Sequence, residues 1–172
     1  MARSSRARFC VRCGTRLVHR VVEKRRREVC PACGHIAFRN AKPAVGVLIE
    51  RDGKLLLVRR ERAPYKGSWD IPGGFLEQDE HPRKGALREA REETGLRIAL
   101  DALLGVYQDK NGGDHTLNLY YKAHVTGGRE IAGDDADDLR WFAPRDIPTR
   151  IAFPGHARAV MRDWRRGRRR AG

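Results

Sequence analysis

The sequence predicts an α+β fold, a layered sandwich of strands and helices preceded by a small module built on four cysteines. Three observations lead there. Short strand-like runs and amphipathic helices follow one another without the regular alternation of a parallel βαβ sheet. All four cysteines fall within 24 residues near the N-terminus. The 172 residues carry 40% hydrophobic side chains, room for one ordinary domain and an appendage. The expected division is a zinc module over 1–40, a domain over 41–150, and a C-terminal helix with a basic tail over 151–172. No internal repeat is present.

The cysteines are spaced Cys10-x2-Cys13, then 16 residues, then Cys30-x2-Cys33, each pair followed by glycine (Gly14, Gly34). This places two thiolates on each of two tight turns that can meet on one tetrahedral Zn2+. A pair of disulfides would suit a secreted domain, but MARSSRARF at the start lacks the apolar stretch of a secretory signal. Four cysteine ligands close the coordination shell, so the zinc is expected to be structural. Forty residues bury too little apolar surface to fold alone, so the metal is expected to carry this module. Arg16–Val22 reads as a short strand with Arg27–Cys30 returning beside it. The run Lys24-Arg25-Arg26-Arg27 at their tip suits a nucleic-acid contact and a solvated turn equally well.

The next elements read in order. Pro43–Glu50 is a strand, Arg51-Asp52-Gly53 a hairpin turn, and Lys54–Arg60 the returning strand. A loop over 63–68 leads to Trp69–Glu77. His81–Thr94 is a helix, with Pro82 in its first turn and Gly95 just beyond its end. Leu96–Asp109 and His115–Val125 are strands around an Asn-Gly-Gly turn at 111–113, and Asp138–Phe142 is a last short strand. Residues 155–166 form a helix whose stripe Ala157, Val160, Met161, Trp164 packs on the domain. The arginine-rich end beyond it buries nothing and is expected to be disordered.

The net charge of +14 is confined to the two ends. Residues 1–40 hold 11 Lys/Arg against 2 Glu, residues 151–172 hold 7 Arg against 1 Asp, and the middle is close to neutral. Any electrostatic partner, RNA included, is therefore a matter of the flanks. No run reaches the roughly 18 apolar residues that span a bilayer. A cytoplasmic protein without a membrane partner is expected.

The chemistry concentrates in GGFLEQDEHPRKGALREAREETGL, Gly73 to Leu96. On a helix advancing about 100° per residue, Glu92 and Glu93 flank Glu89 within an arc of about 100°, and Gly85 falls among them. Ala86, Ala90, Thr94 and Leu87 form a small apolar stripe, and Lys84, Arg88 and Arg91 a basic one. Clustered carboxylates and a helix-weakening glycine suit a Mg2+ platform for phosphate chemistry, with the glycine letting something approach the backbone. They also suit a solvated acidic face balanced by Arg88 and Arg91, and the residues alone leave both readings open.

The same segment resembles the Nudix box, G-x5-E-x7-R-E-U-x-E-E-x-G-U, with U an aliphatic or bulky residue. Gly74 opens it, Glu80 follows, and Arg88-Glu89-Ala90-Arg91-Glu92-Glu93-Thr94-Gly95-Leu96 closes it; Ala90 is small for its position. GSWDIPGG before it and WFAPRDIP after it agree with the family. With the four cysteines, the chain resembles a Nudix hydrolase bearing an N-terminal zinc ribbon, and the likeness covers nearly all of it.

The resemblance implies an α/β/α sandwich that hydrolyses a nucleoside diphosphate linked to another group. Glu89 and Glu93 become the principal ligands of catalytic Mg2+ or Mn2+, completed by Glu92 and the Gly73 carbonyl. Arg88 orients a box carboxylate and Glu80 holds the loop to the helix. The general base falls to Glu92 or Glu93, or to Asp134, Asp135, Asp137 or Asp138 on a later loop. The ribbon points to ADP-ribose or FAD pyrophosphatases and, more distantly, to NADH pyrophosphatases, whose S-Q-P-W-P-F-P marker is replaced here by LDALLGVYQDKNGG. An RNA 5′-end or cap pyrophosphohydrolase is a further reading, and a zinc-ribbon nucleic-acid-binding regulator with a silent core is the non-enzyme one. Tyr65, Trp69, Tyr107 and Tyr120 are candidates for stacking on a base, or for the core. The family also allows a homodimer.

Overall fold

The computed structural model describes residues 8–111, 114–133 and 136–169. The chain forms two compact units that divide between Ala41 and Lys42. The first is a three-stranded antiparallel sheet of β1 (Val18–Val22), β2 (Arg25–Val29) and β3 (Ile36–Ala37), in that order. The register Val22↔Arg25 leaves only Glu23 and Lys24 in the turn, both at positive φ (49° and 61°). This is the primed geometry that matches strand twist, made without the usual Asn-Gly, so sequence gave no signal for it. Cys10, Val29 and Cys30 are the buried apolar residues of this unit among those described, too few to hold it together by burial alone.

The second unit is a mixed sheet between two helices. Its strands are β4 (Lys42–Arg51), β5 (Lys54–Arg60), β6 (Trp69–Asp70), β7 (Gly73–Phe75), β8 (Leu96–Asn111), β9 (Asp114–Gly128) and β10 (Ala136–Phe142). The order is β10-β5-β4-β9-β8, with β6 on β5 and β7 on β4. The β4–β5 hairpin turns at Asp52-Gly53, φ 49° and 74°, as its Asp-Gly pair predicts. β4 runs parallel to β9 at the centre. Only its far end pairs with β5; Ala44, Val45 and Gly46 pair instead with Phe75, Gly74 and Gly73. The box loop is thereby hydrogen-bonded into the sheet.

Both faces of β4 are covered, which explains its unbroken apolar run. Val45, Val47 and Ile49 join Leu56, Tyr121 and Ala123 beneath Ala86 and Ala90 of helix α1 (Pro82–Thr94). Leu48 joins Leu55, Leu57, Ile71 and Tyr120 beneath Ala157, Val160, Met161 and Trp164 of helix α2 (Pro154–Arg169). α1 starts at His81, whose ring accepts the Arg83 N–H, and ends at left-handed Gly95. Leu87, expected in the apolar stripe, lies at its rim and is exposed, because Ala86, Ala90 and Thr94 alone fill the contact.

α2 departs from expectation in length. The chain is helical to Arg169, through residues expected to be disordered. Trp164 is fully buried and its indole N–H donates to Glu50 at 2.9 Å, so the last docked turn seeds a further turn, in which the arginines are good helix formers and Gly167 is carried along. At the other end, His156 is held between β8 and β9. Burial, with the Asp70 and Asp109 carboxylates nearby, pushes the Tyr120 phenol well above its ordinary pKa, so its hydroxyl keeps its proton, and it shares a 2.7 Å hydrogen bond with His156 Nε2. His156 Nδ1 faces Asp109, 3.1 Å away, although not aligned for a hydrogen bond. His156 shares the 156, 160, 164 stripe with Val160 and Trp164, the spacing from which its burial could have been read.

Candidate active site

Two glycines and an arginine assemble the site. Gly74 lies where an added Cβ would sit 2.4 Å from Glu89 Oε1, so the missing side chain is the space the Glu89 carboxylate occupies. The Gly73 N–H donates to Glu93 Oε2 at 2.9 Å. Glu89 and Glu93 are buried, whereas the Glu92 side chain keeps 48% of its exposure. The three carboxylates that a helical wheel treats alike are therefore two buried against the loop and one at the rim.

Arg88 ties this together. Its Nε and Nη2 grip the two oxygens of Glu80 at 2.8 and 2.7 Å. Nη1 donates to Glu89 Oε1 at 2.8 Å and Glu92 Oε2 at 2.9 Å, and Nη2 also reaches the Phe75 carbonyl at 3.2 Å. All five N–H donors of a guanidinium are thus engaged, which no other side chain could reproduce. The forked bonds to Arg88 outweigh desolvation and hold the Glu80 carboxyl below its ordinary pKa, and the same contacts raise that of Arg88. The Arg88–Glu92 pair is real, yet it is one spoke of this hub and not an isolated surface pair.

Gly85 serves packing within the box. A Cβ there would meet Leu76 Cδ2 at 2.4 Å and Glu80 Oε2 at 2.9 Å, so what approaches the helix backbone is the box's own loop. The later aspartates are placed differently from the box. Asp137 accepts from Arg59 Nε at 2.6 Å, and Asp138 pairs with Arg140 at 3.1 Å, along β10 and β5. Asp134 and Asp135 lie outside the described residues. Of the aromatic candidates, Tyr120 is core and cannot stack on a ligand. Tyr107 donates to Asp163 of α2 at 3.0 Å, and Trp69 packs edge-on to Phe142. Tyr65 is exposed and lies edge-on to Phe153, 4.9 Å between centroids.

In the first unit the four thiols converge, all Sγ atoms lying within 4.8 Å of one another. Cys13–Cys30 is 3.4 Å, while Cys10–Cys33 and Cys13–Cys33 are 3.6 Å. A tetrahedral zinc with bonds of about 2.3 Å needs edges of about 3.8 Å, so the cluster fits. The two turns match: Gly14 N–H donates to the Cys10 carbonyl at 2.9 Å, and Gly34 N–H to that of Cys30 at 3.1 Å. Gly14 and Gly34 have φ of 71° and 73°, the conformation the paired glycines were expected to allow. Among the described residues this is the one set of three or more such side chains that closes to this spacing. Glu80, Glu89 and Glu92 instead stand around the Arg88 guanidinium.

A loop that threads a sheet, a helix with buried glutamates and an arginine hub define a Nudix-type hydrolase domain, here accompanied by a four-cysteine ribbon. The family comparisons agree: the NUDIX domain matches residues 40–163, and the Nudix N-terminal zinc ribbon matches residues 8–38. The chain belongs to the Nudix hydrolase family. It is similar to an ADP-ribose pyrophosphatase of Methanocaldococcus jannaschii, 38% identical over 128 residues, covering 72% of this chain and 74% of that one. It is also similar to the NAD-capped RNA hydrolase NudC of Pseudomonas aeruginosa, 30% identical over 155 residues. That match takes in 90% of this chain but only 54% of the relative. Among solved structures, a NUDIX hydrolase from Nitrosomonas europaea superposes with a TM-score of 0.80 at 31% identity, covering 92% of this chain and 89% of that one. Membership makes the chain an enzyme of the hydrolase class, which sets aside the silent-core reading. No helix among the described residues is long and apolar enough to cross a membrane.

Proposed function

We propose that this enzyme hydrolyses the diphosphate linkage of a small dinucleotide, ADP-ribose or FAD, with Mg2+ or Mn2+ held by Glu89, Glu92, Glu93 and the Gly73 carbonyl. The observation that carries the reading is the Arg88 hub, which fixes Glu89 and Glu92 beside the glycine loop where Glu93 is also held. The donor set fits a hard divalent cation: Glu89 and Glu92 share Arg88 Nη1, Glu93 is held by the Gly73 N–H, and all the side-chain donors are oxygens. Such a cation, when bound, offsets charge on the diphosphate and makes water a better nucleophile.

The remaining work falls to the chain. Arg88 and Glu80 are positioning residues: they hold the helix against the loop and leave the Glu89 and Glu93 oxygens pre-arranged. Water adds to one phosphorus, the bridging P–O bond breaks, and two phosphomonoesters leave. ADP-ribose yields AMP and ribose 5-phosphate; FAD yields AMP and FMN. Glu92 is the side chain we assign to accept the water's proton, because it keeps 48% of its exposure while Glu89 and Glu93 are buried against the loop. The working compartment in this reading is the cytoplasm, where thiols stay reduced and available to structural zinc. Size measurement in solution separates a monomer from the homodimer the family allows.

The test is phosphate release from the monoester products, coupled to a phosphatase, on ADP-ribose, FAD, NADH and a 5′-capped short RNA, with Glu93→Gln as control. Turnover of ADP-ribose or FAD with Mg2+, lost in Glu93→Gln, is the expected result. Turnover of the RNA alone supports the second reading, favoured by the RNA-hydrolase relative that matches 90% of this chain. Turnover of NADH alone would show that the missing S-Q-P-W-P-F-P marker is dispensable. Wild-type turnover undiminished in Glu93→Gln would overturn the site.

A further inference from the structure

We propose that the solvent face of α2 binds the phosphate backbone of a single nucleic-acid strand, on the opposite side of the sheet from the box helix. The inference goes beyond the hydrolysis reading and does not depend on it. α2 has two unlike faces. Ala157, Val160, Met161 and Trp164 are buried on the sheet. Away from them, Arg158, Arg162 and Arg166 recur every fourth residue and are exposed, with Arg165 beside them. A four-residue step brings side chains back to one helix face with a rise of about 6 Å, so the three guanidinium groups form a stripe. Arg145 and Arg150, also exposed, lie in the segment that leads into the helix.

Little acid opposes this charge. From residue 145 to 169 the acidic residues are Asp146 and Asp163. Asp163 is shared between Arg162, at 3.3 Å, and the Tyr107 hydroxyl, at 3.0 Å; Asp146 lies 3.7 Å from Arg145. Arg165 donates to the Pro144 carbonyl at 2.9 Å, which orders the side chain without neutralising it. Like charges four apart weaken a helix, so this spacing carries a cost to the fold that a polyanion would offset.

The chemistry selects among polyanions. Basic helices that lie on bilayers insert an apolar face, and here that face is buried under the sheet, with Trp164 bonded to Glu50. The exposed basic residues of this segment are arginines, whose planar fork matches phosphate oxygens. A row of such forks suits a repeating phosphate chain. RNA and DNA share that chemistry. Ala86 and Ala90 of α1 pack on the other face of the same sheet, so a strand on α2 and a small substrate at the box do not compete for one surface.

The experiment is fluorescence anisotropy of labelled 12-nucleotide RNA and DNA of one sequence, with the full zinc-loaded protein, without Mg2+, at 50 to 200 mM salt. The triple variant R158Q/R162Q/R166Q keeps good helix formers on exposed positions. A second variant, K24Q/R25Q/R26Q, removes the same charge from the ribbon tip. The α2 variant is expected to bind at least tenfold more weakly, and its slope of log affinity against log salt to fall by about 2, at about 0.7 per lost contact. The tip variant is expected to stay near wild type. Unchanged tryptophan fluorescence shows that the α2 variant is folded. Tighter binding of one strand names its source, equal binding shows that the shared phosphate backbone is what is bound, and each supports the surface. Equal losses in both variants, loss in the tip variant alone, no strand binding by wild type, or binding only to phosphatidylserine vesicles would each overturn it.

Discussion

Arg88→Ala isolates the hub from everything else in the domain. It removes five hydrogen bonds at once and leaves Glu80 and Glu89, with side-chain exposures of only 14% and 10%, without the guanidinium that bridges them. Removing one partner of a buried pair costs about 3–5 kcal/mol. Arg88 itself retains 32% exposure, so water screens part of this and about 2–3 kcal/mol remains. With a urea m-value of about 1.5 kcal/mol/M, the unfolding midpoint falls by about 1.5 M. Arg88→Lys keeps the charge but offers three donors on a point cation, and the loss is about 1 kcal/mol. Trp69, Trp141 and Trp164 all lie in this unit, so fluorescence-monitored urea unfolding reports it without interference from the ribbon. Acid supplies an independent arm. Arg88 holds the Glu80 pKa below its ordinary 4.5 in the folded state, so the Glu80 contribution is complete above that value and disappears as pH falls through the lower, folded one. Wild type and Glu80→Gln should therefore differ by a constant amount above about pH 5 and converge in stronger acid. An Arg88→Ala midpoint equal to that of wild type, or a Glu80→Gln difference that persists unchanged to pH 2, would refute the account of the hub.

Two further outcomes follow from the geometry. Gly74→Ala puts a Cβ where the Glu89 carboxylate lies. The flexible glutamate end gives way, so stability changes little while turnover falls about a hundredfold, as a displacement of about 1 Å commonly costs; equal kcat in the two proteins would show that the Glu89 position is immaterial. The ribbon should carry one equivalent of zinc by metal analysis, and Cys30→Ser should lose both the metal and the β1–β2 sheet, seen as lost amide protection, while the Nudix unit keeps its urea midpoint. Retention of zinc or of protection in Cys30→Ser would exclude a four-thiolate site.

Periodicity and punctuation made much of the fold legible. Asp52-Gly53 turns the β4–β5 hairpin, Pro82 and Gly95 bracket α1, and the Cys-x2-Cys-Gly repeats form the paired turns, because each signal acts through the conformation of adjacent residues. Box spacing likewise joined Arg88 to Glu80 and to the helix glutamates Glu89 and Glu92. Long-range packing decided the rest. A helical wheel cannot rank Glu89, Glu92 and Glu93; only the approach of the loop buries two and leaves the third at the rim. Gly85 reads as room for a ligand until Leu76 is seen to fill it. The arginines after Trp164 read as an unstructured tail because their own composition buries nothing. Trp164, anchored to Glu50 more than a hundred residues away in sequence, extends the helix beneath them. Local signals are written in neighbouring residues, whereas burial and the length of a docked helix depend on partners that only the folded chain brings near.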